Sequence, residues 1–360
     1  MKQRRERGYY DYSLLFIIVF LVAFGLVMLY STMSYEAQMS NISTTQSLKN
    51  HIMGIAIGFV MMYIASLVPI HWWKALAWYA YAAAILMLLL LLTPLGRSSH
   101  GATRWLYIGS LSFQPAEIAK VATILVMAKL IAKVPRSMRK IITMIKLICV
   151  ILPLVLMIYL MTRNLSSAII VFGIAVVMIF VATPRYDIFI AFGGVVGIAV
   201  FLVIKNIDAI VEASDSFRFE RVLAWLNPEN FAQGKGFQTL QSLYAIGRGG
   251  IFGKGLGNSI QKLSFLPEAQ NDMIFAVICE ELGLFGAVCV IIMFLFMLWR
   301  FAIIANYAPD LFSSMLAVGI MAHIAIQVIL NIAVVTNTMP NTGITLPFIS
   351  YGGTSIMVLL

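Results

Sequence analysis

A chain of 360 residues that is 61% hydrophobic and only 11% charged, with a mean hydropathy of +0.94, cannot cover itself with a polar surface, which excludes an ordinary soluble domain. The formal charge of +10 does not point to nucleic acid: the basic residues are spread among loops between apolar runs, and no domain-sized basic face could follow a phosphate backbone. Cys149, Cys279 and Cys289 all lie inside apolar runs and the four histidines are scattered, so there is no disulfide framework, no CxxC site and no ligand spacing.

Lys2, Arg4, Arg5 and Arg7 precede the apolar run from Leu14 to Tyr30. No small-residue cleavage site follows and many more spans do, so this is an uncleaved first helix and not a signal peptide. Further spans are predicted near 51–68, 73–93, 115–132, 141–161, 165–182, 186–204, 273–299 and 311–335, with the first near 13–33. A tenth starts near 349 but has only about 12 residues, too short to cross at roughly 1.5 Å per residue, so its helix is expected to run on past Leu360. The reading is an all-α polytopic membrane protein of about ten transmembrane helices, a single domain over 1–360, with a large extracytoplasmic loop (205–271) between helices 7 and 8. A cytoplasmic N-terminus puts Lys74, Lys129, Lys133, Arg136, Arg139, Lys140, Lys146, Arg185 and Arg300 on one side, as the positive-inside rule requires. The loops 34–50, 94–114, 162–164, 205–271 and 336–348 then face outward.

The 205–271 loop is far longer than a connector needs. Phe217, Phe219, Trp225, Leu226 and Phe231 alternate with Arg218, Glu220 and Arg221, and Phe237, Leu240, Leu243 and Tyr244 recur at helical spacing. Both stretches suit short helices lying in the membrane interface with their apolar faces toward acyl chains, or a folded lid without chemistry. GRGGIFGKGLGNS (247–259) fails the phosphate-loop pattern, because Arg248 replaces its first glycine and Gly255 its Ser or Thr. A compact turn with positive φ is the better reading. NTMPNTGITLPFISYGG (337–353) suits a broken, partly re-entrant segment.

Ionisable groups inside a bilayer are costly and become functional candidates, which leaves Glu117, Lys120, Glu280 and Glu281, with Asp272 at the outer end of a span and Arg104 and Trp105 in an outer loop. Glu117 and Lys120, three apart on one helix face, could be binding groups or simply neutralise each other. Asp272 could be only a helix N-cap, with Asn271 as a rival. Glu280 and Glu281 are expected on the order of 12 Å deeper than Asp272, where one would orient the bundle.

The segments GATRWLYIGSLSFQPAEIAK (101–120), FRFERVLAWLNP (217–228), GFQTLQSLYAIGRGGIFGKGLGNSIQKLSFLPEAQNDMIFAVICEELG (236–283) and GITLPFISYGGTS (343–355) together resemble the SEDS proteins, the shape, elongation, division and sporulation family that includes FtsW, RodA and SpoVE. The resemblance covers nearly the whole chain. It implies ten spans with both ends in the cytoplasm of a bacterial cytoplasmic membrane, and peptidoglycan glycosyltransferase activity on lipid II. It places the essential aspartate of the family's PE-x-x-x-D-x-IF pattern on Asp272, although Gln270 and Asn271 stand where many members read histidine and threonine. The family's RW pair falls on Arg104 and Trp105, and its QPAE-x-x-K pattern on Gln114, Pro115, Glu117 and Lys120. NLSSAII (164–170) and NDMIF (271–275) favour the FtsW and SpoVE branch.

What the resemblance implies is consistent with the residues. Asp272 would take the proton of the acceptor GlcNAc 4-hydroxyl, while Arg104, Lys120 or Arg221 meets the diphosphate charge, directly or with a divalent metal ion (Mg or Mn) and without a nucleotide. The implied partners are a class B penicillin-binding protein transpeptidase and other division proteins. Two rival readings stay open. A lipid II flippase needs a polar path through both leaflets, and a noncatalytic scaffold would tolerate loss of Asp272.

Overall fold

The computed structural model describes residues 10–40, 44–99, 102–108, 111–207, 211, 217–234, 236–263 and 265–360. Seven long helices come first: α1 (Tyr12–Ser40), α2 (Thr44–Leu67), α3 (Ile70–Leu90), α4 (Pro115–Lys133), α5 (Ile141–Thr162), α6 (Leu165–Ala182) and α7 (Tyr186–Lys205). Two shorter ones, α8 (Phe217–Leu226) and α9 (Phe237–Gly249), precede α10 (Ile274–Asn306), α11 (Leu311–Val335) and α12 (Gly353–Leu359). Among the described residues eight helices are long and apolar enough to cross a membrane, and the protein is a multi-pass membrane protein. Of the ten expected spans, eight are these helices; the one expected at 115–132 is the more charged α4, and where the tenth was expected lies α12, seven residues long.

α4 carries Glu117, Lys120, Lys129 and Lys133 yet occupies the middle of the bundle, packed against α3, α6 and α11. Its apolar side chains from Ala122 to Ala128 are all buried against protein, so its polar groups meet other helices instead of acyl chains. α11 stands between two packed groups: Phe312, Met315 and Val318 join the α3–α6 core, whereas Ile324, Val328 and Val335 join a second core with α1, α10 and the segment before α12. Gly319 lets α11 approach α4 and α6, since a Cβ there would come within 2.6 Å of Ile124. α7 is the exception, with no buried residue.

The loop between α3 and α4 is not irregular. Gly96–Ser99, Ala102–Ile108 and Leu111–Phe113 form β1, β2 and β3, an antiparallel sheet in that order, with Arg97 opposite Trp105 and Leu106 opposite Phe113. Among the described side chains of β2 at 103–107 only Leu106 is fully buried, and the next, Tyr107, is exposed, as in a half-covered strand.

The span expected at 273–299 is two pieces. At Gly283, φ +69 and ψ −169 interrupt α10. Before it, Ile274 to Glu281 are all buried in protein; beyond it, Leu284, Phe285, Val288, Ile292 and Leu295 expose one face, as a lipid-facing helix does. The 23 residues from Leu284 to Asn306 suffice to cross by themselves. Glu280 and Glu281 therefore lie at the end of the buried first piece of α10, just before the kink. The glycine-rich turn forms here with positive φ at Gly250, Gly253, Gly255 and Gly257, and its backbone runs against α10: Lys254 N–H donates to the Glu280 carbonyl and Leu284 N–H to the Gly250 carbonyl.

Gly283 has no room for a side chain, because an added Cβ would lie 2.3 Å from the Gly253 nitrogen and 2.4 Å from the Ile251 oxygen. Gly283→Ala is expected to destabilise the protein by at least about 1–3 kcal/mol, the scale of a strained backbone. Thermal melting of the purified protein reads this directly, and an unchanged midpoint would mean that the kink relaxes freely.

Candidate active site

Asp272 sits in the turn just before α10. It is not the helix cap: Met273 holds that position and no side chain caps the helix. The turn is instead pinned through three successive carbonyls. Tyr351 N–H donates to Gln270 (2.9 Å), Ser350 Oγ to Asn271 (2.6 Å) and Asn331 Nδ2 to Asp272 (2.7 Å). Asn331 also donates to the Ile344 carbonyl at 2.7 Å, so one amide on α11 joins the aspartate turn to the segment after α11. These bonds leave the Asp272 carboxylate free for other work while fixing where it stands.

That carboxylate is only 7% exposed. Burial, reinforced by the Glu268 charge and opposed by the residue's own backbone N–H and by Arg221, pushes its pKa up to about 7. Arg221, on α8, feels both Asp272 and Arg104. Arg104, on β2, is half-buried, and its Nε donates to the Thr162 carbonyl at 3.4 Å. Burial lowers the pKa of both guanidiniums, and Arg104 adds to the lowering at Arg221. Two partly desolvated cations and one carboxyl that titrates near neutrality thus share one corner of the molecule, an arrangement that suits a polyanionic substrate and a proton acceptor.

Beside them lies a cavity of about 230 Å³ lined by Arg221, Trp225, Phe237, Gln238, Pro267 and Asn341 among others. Trp225 is fixed there by its Nε1, which donates to the Asn337 carbonyl at 2.9 Å. Gln238 Nε2 faces Asp272 Oδ1 at 3.5 Å, linking cavity to carboxylate. Aromatic faces, amides and a guanidinium around such a volume suit a sugar better than an apolar ligand.

The other expected site residues fall elsewhere. Strand alternation turns Trp105 to the opposite face of β2 from Arg104. Glu117 and Lys120 form a buried ion pair of 2.7 Å, Glu117 being 6% and Lys120 1% exposed. Glu280 accepts from Ser259 Oγ and from the Ile260 and Gln261 amides and pairs with Arg248; Glu281 accepts from Lys262 Nζ (2.7 Å) and Ser31 Oγ (2.7 Å). Both glutamates anchor the 248–262 loop. One face of α9 is turned to protein: Leu240, Ser242, Ala245 and Gly249 are buried, and α9 packs on α10 so closely that a Cβ at Gly249 would overlap the Cys279 carbonyl, while Tyr244 on the other side is exposed. Small residues at 242, 245 and 249 permit that approach. Among the described residues no three His, Cys, Asp or Glu side chains gather to hold a metal, and Asp272 Oδ1 faces an amide donor. The described residues therefore offer no protein-only ligand set for the expected divalent ion.

Gln238, Asn331, Asn341 and Ser350 are the members that the sequence reading missed. Their signal was faint: Asn331 is a polar residue in an apolar span, and Asn341 stands beside Gly343 in the broken segment.

Comparisons with known proteins agree over the full length. Stage V sporulation protein E of Bacillus subtilis is 36% identical over 351 residues, covering 97% of this chain and 94% of that protein. A probable peptidoglycan glycosyltransferase FtsW of Geobacter metallireducens is 37% identical over 361 residues, covering 99% and 93%. Among solved structures, a chain of a peptidoglycan synthase complex that coordinates polymerization and crosslinking superposes with a TM-score of 0.79 at 27% identity, covering 98% of this chain and 95% of that one. The rod shape determining protein RodA of Thermus thermophilus shares the fold, with a TM-score of 0.66 at 24% identity over 97% and 93% of the two chains. With a match that runs from residue 12 to residue 360, the chain belongs to the FtsW, RodA and SpoVE family of cell cycle proteins.

Proposed function

We propose that this membrane-embedded peptidoglycan glycosyltransferase polymerises lipid II with Asp272 as its general base. The observation that carries the reading is a buried carboxylate whose pKa is pushed up to about 7, beside Arg104, Arg221 and a sugar-sized cavity. The acceptor 4-hydroxyl oxygen attacks the donor's anomeric carbon, the bond from that carbon to the lipid diphosphate breaks, and the bonding pair leaves on the diphosphate oxygen. Asp272 takes the hydroxyl proton. Arg104 and Arg221 meet the growing diphosphate charge, and their partial desolvation makes them act more strongly than in bulk water. Glu117 and Lys120, spent on each other, order α4.

The N-terminus is cytoplasmic and Asp272 lies at the outer face of a bacterial cytoplasmic membrane. Lipid II keeps its sugars on that face and its tail in the bilayer, and α7, which buries no residue, leaves a side of the bundle by which the tail can enter. A transporter reading is less well supported. Buried polar side chains on α4 and α11 run from Asn331 through Gln327 and Glu117 to Lys120, His323 and Thr123, and there they stop. Ile124 to Ala128, Met315 and Val318 close the remaining half. The partner proposed is a class B penicillin-binding protein transpeptidase, by analogy with the synthase complex whose chain this one resembles.

Purified protein, alone and with such a transpeptidase, is expected to convert lipid II into glycan strands resolvable by length. Because the carboxylate is the active form, the rate should fall about tenfold per unit as pH drops below about 7 and level off above it. Absence of strands under both conditions would overturn the reading.

A further inference from the structure

We propose that Gln238 and Asn341 form an amide relay that keeps Asp272 in its carboxylate form, which makes both positioning residues of the transfer; this rests on the reading of Asp272 as base. The relay joins three segments far apart in sequence. Gly343 N–H donates to Asn341 Oδ1 at 3.0 Å, Asn341 Nδ2 donates to Gln238 Oε1 at 2.6 Å, and Gln238 Nε2 reaches the Pro267 carbonyl at 3.3 Å and Asp272 Oδ1 at 3.5 Å.

A side-chain amide can in general be turned either way, but here both ends are backbone groups of fixed polarity. Gly343 N–H only donates and the Pro267 carbonyl only accepts. Asn341 must therefore present its nitrogen to Gln238, and Gln238 must present its nitrogen to Asp272. An oriented donor favours the charged carboxylate over the neutral acid. Among the described residues the remaining charges facing Asp272 are Glu268 in its own turn, which disfavours the carboxylate, and Arg221 from α8, which favours it; Arg104 of β2 acts on Arg221. α11 contributes the neutral Asn331, and the 340–346 segment brings no ionisable side chain. The relay thus opposes burial at the one place where full neutralisation would disarm the base. Gly343 belongs to the same device: a Cβ there would lie 3.9 Å from Asp272 Oδ2, so the segment passes directly over the carboxylate.

The test reverses the relay. In Asn341→Asp, one new carboxylate oxygen still accepts from Gly343 and the other meets Gln238 Oε1, two acceptors in contact; Gln238 must turn over and show its carbonyl to Asp272. Gln238→Leu removes the donor without adding charge. For lipid II polymerisation by the purified protein with its transpeptidase, both variants are expected to move the acid limb of the pH–rate profile upward by about one unit. Relative to its own plateau, each would then be about tenfold slower below the limb than wild type is relative to its plateau. A limb that stays in place, with only KM for lipid II raised, would make these amides sugar contacts and overturn the relay. Asp272→Asn in the same assay separates the two readings. If it is inactive while both limbs are unmoved, only the relay falls; if it polymerises like wild type, the base falls and takes the relay with it.

Discussion

Asp272→Asn is expected to slow lipid II polymerisation by on the order of 10²- to 10⁴-fold, the contribution of a positioned general base, and at the same time to make the protein harder to unfold. The two effects share a cause. The folded state holds this carboxyl near 7 while an ordinary aspartate titrates at 3.8. Between those values the folded protein binds a proton that the unfolded chain has released, so stability is lost as pH rises through the window. Above about pH 7 wild type carries a buried carboxylate that Arg221 only partly offsets. The amide removes that charge and keeps the shape, a gain of as much as about 4 kcal/mol when the folded and unfolded pKa values stand roughly three apart. Thermal melting of wild type and variant should nearly coincide at about pH 4 and separate progressively toward about pH 8. A variant that melts lower at pH 8 would mean that the charged aspartate is stabilising, and that a base poised near neutrality is the wrong description.

The spans were legible because a run of about 20 apolar residues can do little else, and even α4 was found despite its four charges. Asp272 was legible as a carboxylate at a span's end, and its motif assigned it a role. What the sequence hid was everything set by contact between distant segments. Glycine at 283 follows Glu280 and Glu281 in an otherwise apolar run, and nothing local says that the helix breaks there. The break needs Ile251 and Gly253 against it, and without them the glutamates look like mid-helix residues instead of groups bordering the 248–262 loop. The sheet at 96–113 is short, and its strands were overshadowed by their charged and aromatic members. Gln238 and Asn341 lie 34 and 69 residues from Asp272 in sequence, and no spacing rule links an amide in one loop to a carboxylate in another. For Glu117 and Lys120 the local rule was right: three residues apart on a helix, they meet each other.

The second large effect should come from a residue with no role in the chemistry. Lys262 Nζ lies 2.7 Å from Glu281 Oε1 and 2.8 Å from Ser31 Oγ, with 4% of the lysine side chain and none of the glutamate side chain exposed. This triad ties α1, the glycine-rich loop and the kinked start of α10 together, two turns from Asp272. Replacing one ion of a buried pair strands the other, at about 3–5 kcal/mol, whereas removing both leaves an apolar contact in which most of that loss disappears. Lys262→Met and Glu281→Leu are each expected to lower stability by that amount, and the double variant by far less than their sum. Thermal melting of the four proteins closes the cycle. Additive losses would mean that the two side chains act independently and that the loop is seated by Glu280 alone. Strong coupling, with polymerisation recovered in the double variant, would instead show that the triad serves the active site by holding the start of α10 in place, and that an apolar contact can do the same.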